Sequence, residues 1–354
     1  MSTSTAAGKY FTDQLLRWHF EENRRSLPWK EEKDPYRIWL SEVILQQTRA
    51  EQGKPYYESF TRQYPDVHRL AAAPEDEVFR LWQGLGYYNR CRNLLHTART
   101  ISIDHKGVFP RTYEGILALK GIGEYTAAAI ASFAFNLPHA VLDGNVYRVL
   151  SRYFGIDTPI DSAEGKKQFR ELASALLDPS QPAAFNQAIM DFGSSVCKPQ
   201  APCCAGCPLA PRCTALKKDM TGLLPVKARK LAVRERHLHY LVLSHGGKVY
   251  VQQRTGKDIW QHLYEFFLIE SDQPHTATAG WTKLVPYMQE VPARSCFSNR
   301  QRLTHQLVRS DFYHVPLRAR PAFLRSGIWV EREELKNYAF PKTILSFFNR
   351  KKYF

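Results

Sequence analysis

Five of the seven cysteines of this chain lie close together, between Cys197 and Cys213. Four of them follow the spacing Cys197-x6-Cys204-x2-Cys207-x5-Cys213, which allows one loop to wrap four thiolates around a single metal cluster. Zinc also accepts four cysteines, but structural zinc sites usually come as two close pairs separated by a longer loop. The pattern therefore favours a cluster, with zinc as the alternative. The fifth cysteine, Cys203, is interpreted as a non-ligand.

A carboxyl group among apolar neighbours is a second candidate for chemistry. Glu42 lies in the apolar stretch 38–45, and Asp34-Pro35 before it is typical of a helix start, so we expect a helix from Pro35 to about Ala50. Apolar surroundings disfavour a charged carboxylate, so the pKa of Glu42 should rise. Glu42 is thus a candidate general acid. The alternative is a glutamate at the edge of the apolar stripe that turns toward water.

Another carboxyl group stands at the start of a predicted helix. Asp143 precedes Gly144-Asn145-Val146, where free N–H groups and the helix dipole favour an ionised side chain. The alternative is a helix cap without a chemical role. Two carboxyl groups whose surroundings push their pKa values apart suit the cleavage of a glycosidic bond.

Two glycines, Gly121 and Gly123, turn the chain between a short predicted helix and a new one. Backbone N–H groups at such a helix start can hold a phosphate without reading sequence, and glycine permits the close approach. The pattern therefore indicates contact with a nucleic acid backbone, although Gly-x-Gly alone is more often only a turn.

The length of the chain limits the number of its domains, and its net charge favours a nucleic acid partner. The chain has 354 residues, enough for two or three domains, and its formal net charge of +15 predicts a polyanionic partner. The first residues lack an apolar signal core, and no long apolar run occurs. We therefore expect a cytoplasmic protein of bacterial type, associated with the nucleoid and without a membrane span.

Hydrophobic periodicity divides the chain into two parts. The first 220 residues predict an all-α domain, with helices near 10–29, 35–50, 55–64, 74–84, 88–104, 113–119 and 125–135. Residues 217–236 are rich in Lys and Arg and predict an extended basic linker that could face phosphates. Beyond it, alternation predicts an α+β domain. Its expected strands are 239–244, 248–253, 266–269, 305–308 and 312–315, and its expected helices are 331–335 and 342–348.

Several motifs occur in unbroken order along the first part of the chain: Leu27-Pro28-Trp29, Trp39–Thr48, Trp82–Tyr88, the turn at Gly121, Leu142–Val146, Phe185–Ala188 and the four-cysteine loop. Together they resemble the MutY-type adenine DNA glycosylases of the endonuclease III, or helix–hairpin–helix, superfamily. Further along, Val251–Arg254, Trp260 and Leu263–Phe266 are similar to that family's Nudix-like domain.

The resemblance implies a fold and its cofactors. An all-α helix–hairpin–helix glycosylase domain would span residues 1–216, with a six-helix barrel module at about 29–138 and an iron–sulfur module formed by the N-terminal helix and 139–216. A basic linker would follow at 217–236, and an α+β Nudix-like domain that recognises 8-oxoguanine would span 237–354. One [4Fe–4S] cluster would bind Cys197, Cys204, Cys207 and Cys213. One monovalent cation would bind the backbone carbonyls of Leu117, Leu119 and Ile122.

The implied reaction is the removal of adenine mispaired with 8-oxoguanine or guanine, in base excision repair, after the base is flipped from the duplex. By resemblance, Glu42 would protonate adenine N7 and Asp143 would stabilise the oxocarbenium ion. Asn145 would support them through hydrogen bonds. Tyr125 stands where lyase members carry a lysine. Since a phenol cannot form a Schiff base, the enzyme should be monofunctional.

The resemblance also assigns contacts to the flipped adenine. Trp29 and Gln187 would line its pocket, with Gln187 reading the Watson–Crick edge, because an amide both donates and accepts as adenine does. Many relatives carry Arg where this chain has Lys30, so a pocket contact by Lys30 stays open.

On the 8-oxoguanine side, the resemblance implies contacts from both domains. Gln47 would enter the duplex, together with a tyrosine wedge that is either Tyr87 or Tyr88. The triplet Leu303-Thr304-His305 would touch the lesion, where the family often has Phe-Ser-His. Thr304 keeps a hydroxyl group, whereas Leu303 removes the stacking aromatic ring.

Three alternatives remain at this point. An endonuclease III-like glycosylase/lyase is opposed by Tyr125 and by the extra domain, and a non-catalytic lesion-binding protein would be expected to lack Glu42 or Asp143. A Nudix hydrolase needs an Arg-Glu-x-x-Glu-Glu helix, and Glu331–Glu334 is only a partial match. The expected partner is double-stranded DNA with 8-oxoguanine:adenine or guanine:adenine mispairs, bound by a monomer.

Overall fold

The structure is a computed structural model that describes residues 6–228, 233–271, 281–292 and 295–350. Over the described residues, the chain divides into two compact units. Unit 1 comprises Met1–Ala72 and Asn93–Lys230, and unit 2 comprises Ala73–Arg92 and Leu231–Phe354. No helix in the described ranges is both long and apolar enough to cross a membrane.

Helices form all the regular structure described before residue 229, which confirms the all-α prediction. They are α1 (Ala6–Glu21), α2 (Pro35–Leu45), α3 (Ala50–Gln63), α4 (Val67–Ala72), α5 (Glu75–Trp82), α6 (Asn89–Ile103), α7 (Tyr113–Leu117), α8 (Glu124–Phe135), α9 (Gly144–Phe154), α10 (Ala163–Leu176), α11 (Pro182–Ser195) and α12 (Thr214–Lys217), with a 3-10 turn at Ala210–Arg212. The first helix begins and ends earlier than predicted, and α3 contains Pro55 rather than starting there.

The helix that carries Glu42 starts as predicted but ends early. Asp34 caps α2 by accepting a hydrogen bond from the backbone N–H of Tyr36, and Pro35 occupies the first helical position. The helix stops at Leu45 rather than near Ala50, because the chain turns through Gln47, whose φ is +55°. The turn leaves Gln47 exposed.

An apolar core holds the helices of unit 1 together. Leu15 and Trp18 of α1 pack against α11, where the Trp18 and Phe192 rings meet edge to face with centroids 5.0 Å apart. The helix α9 also packs against α11, and α2 packs against α8. Each fully buried side chain of this kind contributes about 2 kcal/mol. This packing fixes α2, α8, α9 and α11, the four helices that carry most of the candidate site.

Unit 2 contains a seven-stranded mixed sheet. Its strands are β1 (Arg234–His245), β2 (Lys248–Gln253), β3 (Tyr264–Glu265), β4 (Phe267–Ser271), β5 (Phe297–Arg302), β6 (Gln306–Pro316) and β7 (Gly327–Glu331). The order is β3-β2-β1-β6-β5, with β4 also on β1 and β7 also on β2. β1 and β6 are parallel, whereas β1 and β2 form the predicted hairpin around Gly246-Gly247.

Both faces of the sheet are covered by apolar side chains. On one face, Leu241 and Leu243 of β1 join a cluster with Trp281 and Val315. On the other, Phe312 of β6 stacks on Phe347, with centroids 4.7 Å apart. Phe347 belongs to helix α13 (Lys342–Phe348), which was predicted at these residues.

Other predictions for unit 2 need correction. The strands β5 and β7 were missed. In β5 (Phe297–Arg302) the cause is its composition, since the strand is mostly polar and alternates only between half-buried and exposed residues. The two strands predicted near 305–308 and 312–315 are one strand, β6, since its parallel pairing with β1 is continuous. The predicted helix near 331–335 is a 3-10 helix over Arg332–Asn337.

Both ends of the predicted basic linker belong to the folded units. Ile160 N–H donates to Val226 O at 3.0 Å, and Ala228 N–H donates to Asp161 at 2.8 Å, so residues 226–228 are bound to unit 1. At the other end, Arg236 lies in β1.

Arg236 is therefore not a solvent-facing or phosphate-facing residue. Its buried guanidinium forms ion pairs with the carboxylates of Asp258, at 2.7 Å, and Glu270, at 2.6 Å. These two carboxylates neutralise its charge. Arg229 and Lys230, also assigned to the linker, lie outside the described residues.

Candidate active site

Glu42 is a buried carboxyl group in the interior of unit 1. Its exposed fraction is 7%, and the residues before and after it on α2 are buried as well. Burial raises the pKa of Glu42 to about 7, and the nearby Asp143 adds to the rise, although a hydrogen bond from Tyr125 opposes it. The predicted rise in the pKa of Glu42 is confirmed. Near neutral pH this group carries a proton that it can donate.

Asp143 caps α9, as the sequence predicts. Its Oδ1 accepts hydrogen bonds from the N–H groups of Asn145 and Val146, both at 2.8 Å. Burial nevertheless raises the pKa of Asp143, while these hydrogen bonds and Arg148 work in the opposite direction. Asp143 was predicted to stay ionised at the helix start, and burial is an opposing effect that the sequence did not reveal.

Asn145 is held so that its amide nitrogen faces Asp143. The nitrogen donates to Asp143 Oδ2 at 2.6 Å, and the amide oxygen accepts from Arg148 at 2.8 Å. Arg148 is buried and also donates to the carbonyls of Gly193 and Cys197, at 2.6 and 2.8 Å. A Cβ on Gly193 would lie 2.7 Å from Cβ of Asn145, so this close contact between α9 and α11 requires glycine.

Tyr125 lies beside both carboxyl groups. Burial, together with the charges of Glu42 and Asp143, raises the pKa of its phenol well above the ordinary value. Its hydroxyl lies 3.5 Å from the sulfur of Met190 on α11. Tyr125 therefore stays protonated and can donate a hydrogen bond to Glu42.

Gln187 and Asn186 are neighbours on α11 with different surroundings. Asn186 is fully buried and accepts from Val141 N–H at 3.1 Å while donating to His139 O at 2.8 Å, which fixes the chain just before Asp143. Gln187 is half-buried, and its amide has no hydrogen-bond partner among the described residues. Its donor and acceptor remain available to a ligand.

A fully buried carboxylate, Asp191, ties the Trp29 segment to α11. It binds Arg25 at 2.9 Å and Lys30 at 3.3 Å, and it accepts a hydrogen bond from Asn23 at 2.9 Å. The ammonium group of Lys30 also donates to Arg25 O at 2.8 Å, so Lys30 is held by protein groups. Trp29 itself is half-buried and meets Tyr57 edge to face.

The predicted hairpin is formed between α7 and α8. Gly121 has a φ of +79°, and a Cβ there would lie 2.6 Å from Asn93, so both its conformation and its space need glycine. Gly123 is exposed at the start of α8, and a Cβ there would meet nothing within 4 Å. The start of α8 is therefore open on the side where a Gly123 side chain would lie.

The four predicted ligand cysteines line one cavity. Cys197, Cys204, Cys207 and Cys213 share it with Cys203 and Arg152. Arg152 donates to the sulfur of Cys197 at 3.4 Å and to Lys198 O at 2.7 Å. In the described ranges, no three His, Cys, Asp or Glu side chains lie close enough together to hold a metal ion. Four thiols that line one cavity, with an arginine beside them, have the chemistry preferred by a group that binds soft, anionic ligands.

In unit 2, two residues assigned to the lesion side meet. The hydroxyl groups of Tyr87 and Thr304 form a hydrogen bond, and both side chains are exposed. Thr304 lies in the turn between β5 and β6, which Leu303 N–H closes by donating to Gln306 O. His305, predicted to begin a strand, belongs to this turn as well. Tyr88 is buried, stacks on Phe79 and accepts from Gly84 N–H, so it is part of the core.

Sequence reasoning missed Arg148, Arg152 and Asp191. One signal was present, since Arg148 and Arg152 are four residues apart and interrupt the buried face of α9. Asp191 follows Gln187 by four residues on α11 in the same way. Such polar residues on an apolar helix face indicate buried hydrogen-bond networks.

Comparisons with known proteins identify the family of each part of the chain. A family model described as HhH-GPD superfamily base excision DNA repair protein matches residues 40–176, and a NUDIX domain model matches residues 239–350. An adenine DNA glycosylase of Buchnera aphidicola subsp. Baizongia pistaciae is 35% identical over 265 residues, which are 74% of this chain and 75% of the relative. The adenine DNA glycosylase of Homo sapiens is 41% identical over 217 residues, 59% of this chain and 40% of the relative.

A solved structure of a thermostable thymine-DNA glycosylase aligns with a TM-score of 0.56 at 32% identity, covering 60% of this chain and 97% of that one. The fold and the site thus define a DNA glycosylase of the helix–hairpin–helix superfamily with a Nudix-like C-terminal domain. The chain belongs to the adenine DNA glycosylase family. It is a base excision repair enzyme that acts on DNA, and the MutY-type resemblance is confirmed.

Proposed function

We propose that this enzyme excises adenine mispaired with 8-oxoguanine or guanine, and that Glu42 and Asp143 perform the cleavage. The observation that carries the proposal is the pair of carboxyl groups in the interior of unit 1, with Tyr125 bound to Glu42 and Asn145 bound to Asp143. Adenine is a poor leaving group until it is protonated. A proton held near neutral pH and a carboxylate nearby are the two groups that such a cleavage needs.

In the proposed reaction, Glu42 donates its proton to N7 of the flipped adenine as the glycosidic bond breaks. Asp143 stabilises the oxocarbenium ion that forms on the sugar, and Asn145 holds Asp143 in place through its 2.6 Å hydrogen bond. Tyr125 orients Glu42 by a hydrogen bond. The flipped base would lie between Trp29 and Gln187, whose free amide matches the donor and acceptor on the adenine edge.

The opposite base would be read from unit 2. We assign the wedge to Tyr87, because it is 47% exposed whereas Tyr88 is buried. The turn that carries Leu303, Thr304 and His305 presents a hydroxyl group next to Tyr87. The role of Gln47 beside the lesion rests on the family resemblance and on its exposed position.

The second domain is proposed to bind and not to hydrolyse. Glu331, Glu333 and Glu334 lie around a short 3-10 helix rather than on the long helix that a Nudix hydrolase uses to hold metal ions. The enzyme is also proposed to lack lyase activity, since the phenol of Tyr125 cannot form a Schiff base. It would act as a monomer on duplex DNA, with Gly121 and Gly123 at a backbone phosphate.

We further propose that Cys197, Cys204, Cys207 and Cys213 hold one [4Fe–4S] cluster. Their thiols line a common cavity, and Arg152 beside them would offset the negative charge of thiolate ligands. Such a cluster would join the two ends of the loop, after α11 and before α12, through four iron–sulfur bonds. The proposed cation at the carbonyls of Leu117, Leu119 and Ile122 fits the hairpin turn, where Leu119 O already accepts from Ile122 N–H at 3.1 Å.

The proposed specificity is tested with three duplexes that carry adenine opposite 8-oxoguanine, guanine or thymine. After incubation and alkali treatment, cleavage at adenine is expected for the first two and not for the third. Thr304→Val should slow excision opposite 8-oxoguanine more than opposite guanine, with Ser298→Ala in the same unit as the matched control. Equal cleavage of all three duplexes would remove the mispair specificity. Cleavage without alkali, with borohydride trapping, would contradict the monofunctional assignment.

A further inference from the structure

The fifth cysteine of the loop is the feature that the proposed function leaves without a role. Cys203 is exposed and lies next to Cys204 in the chain, and it lines the same cavity as the four predicted ligands. Cys203 is therefore a thiol at the cavity and not an isolated surface cysteine.

The backbone of Cys203 is fixed by a hydrogen bond, although the segment around it has no regular secondary structure. Cys203 N–H donates to Val196 O at 2.9 Å, which holds it beside the Cys197 end of the loop, and Cys204 N–H donates to Pro202 O. Residues 198–204 form neither helix nor strand. A shift by one residue, about 3.8 Å between consecutive Cα atoms, can therefore be taken up within this segment without disturbing α9 or α11.

We propose that Cys203 is a reserve ligand that can replace Cys204 in holding the metal group of this loop. When the Cys204 sulfur is missing, the Cys203 thiol releases its proton to water and its sulfur forms the bond to the iron that Cys204 would have held. One iron–sulfur bond replaces another, and no oxidation state changes. This inference rests on the proposed [4Fe–4S] cluster.

The other three ligands have no such reserve. Cys197 is flanked by Val196 and Lys198, Cys207 by Gly206 and Pro208, and Cys213 by Arg212 and Thr214. The loop should therefore tolerate loss of Cys204 and not loss of Cys197. That asymmetry is a property of this chain's own residues, and it can be measured without any substrate.

The test compares iron content and visible absorption of purified full-length variants. Alanine is used because a serine oxygen can itself bind iron. We expect Cys203→Ala to match the wild type, Cys204→Ala to retain most of its iron, and Cys203→Ala/Cys204→Ala to lose it as Cys197→Ala does. Iron loss in Cys204→Ala equal to that in Cys197→Ala, or failure of Cys204→Ala to fold, would overturn the proposal.

Alkylation followed by mass spectrometry gives a second readout. Cys203 should react with iodoacetamide in the wild type, where it is exposed, and should be protected in Cys204→Ala. Reaction of Cys203 in both proteins would overturn the reserve role. A wild type that contains zinc or no metal would instead remove the proposed cluster, so the two failures are distinguishable.

Discussion

Among single residues, Glu42 shows how burial sets chemistry. Its carboxyl group lies where water cannot stabilise the charge, and the nearby Asp143 makes ionisation still less favourable. Tyr125 opposes both effects with one hydrogen bond, but it does not cancel them. The balance leaves a pKa of about 7, compared with an ordinary value of 4.5. A glutamate in these surroundings can be protonated at the pH where the enzyme works.

The same burial should lower stability at high pH. The folded-state pKa of Glu42 is raised, so the folded protein binds a proton more tightly than the unfolded chain does. The free energy of unfolding should fall as pH rises from 4.5, the ordinary pKa of a glutamate, to about 7, the pKa of Glu42 in the folded protein. Above pH 7 the loss of stability reaches about 3 kcal/mol. A glutamine at position 42 cannot ionise. The stability of Glu42→Gln relative to the wild type should therefore be higher at pH 8 than at pH 4.

Thermal unfolding of both proteins at the two pH values measures this difference. Glu58→Gln is a suitable control, because Glu58 is an exposed residue paired with Lys54 at 3.9 Å. A stability difference between wild type and Glu42→Gln that does not change with pH would be inconsistent with a buried, protonated Glu42.

At the scale of helices, hydrogen bonds between elements decide where the site residues stand. Arg148 of α9 joins Asn145 to carbonyls of α11 and of the cysteine loop. Asp191 of α11 holds the segment that carries Trp29. These two networks set the relative positions of the carboxyl groups and the proposed base pocket.

Removing the charge of Asp191 should destabilise unit 1 strongly. Asp191→Asn leaves Arg25 and Lys30 without their buried partner, which typically costs about 3–5 kcal/mol. Denaturant unfolding measures the loss. Asp13→Asn breaks an exposed pair with Lys9 and should change the stability far less. Equal effects of the two variants would show that the Asp191 network contributes little.

Local sequence signals predicted the elements better than their ends and partners. The caps at Asp34 and Asp143 were predictable because a cap depends on a few adjacent residues. The early end of α2 was not, since it depends on a positive φ at Gln47, a residue without a strong preference for that conformation. The effect of burial on the pKa of Asp143 was not predictable either, because burial depends on helices far away in the sequence.

For the whole molecule, charge is the property that sequence predicts directly. A net charge of +15 favours DNA binding regardless of fold. The distribution of that charge needs the structure, because Arg148, Arg152 and Arg236 are buried and cannot contact phosphates. Lys217 and Lys218 are exposed and remain candidates for such contacts.

Binding of duplex DNA should therefore weaken steeply with salt. Each phosphate contact contributes a slope of about −0.9 in a plot of log affinity against log salt concentration. Lys217→Gln/Lys218→Gln should reduce the slope by about 1 to 2, whereas Lys9→Gln, which removes the charge of a residue paired with Asp13, serves as the control. Fluorescence anisotropy at several salt concentrations provides the slopes, and an unchanged slope would place both lysines away from DNA.

The most direct test of the account is single-turnover release of adenine by Glu42→Gln from a duplex with adenine opposite 8-oxoguanine. General-acid catalysis typically contributes about 10²–10⁴ in rate, so we expect a loss of at least about 10² in Glu42→Gln. Duplex binding and iron content should match the wild type. The wild-type rate should fall as pH rises through about 7, as Glu42 loses its proton. Turnover by Glu42→Gln within a few-fold of the wild type would contradict the assignment of Glu42 as the acid.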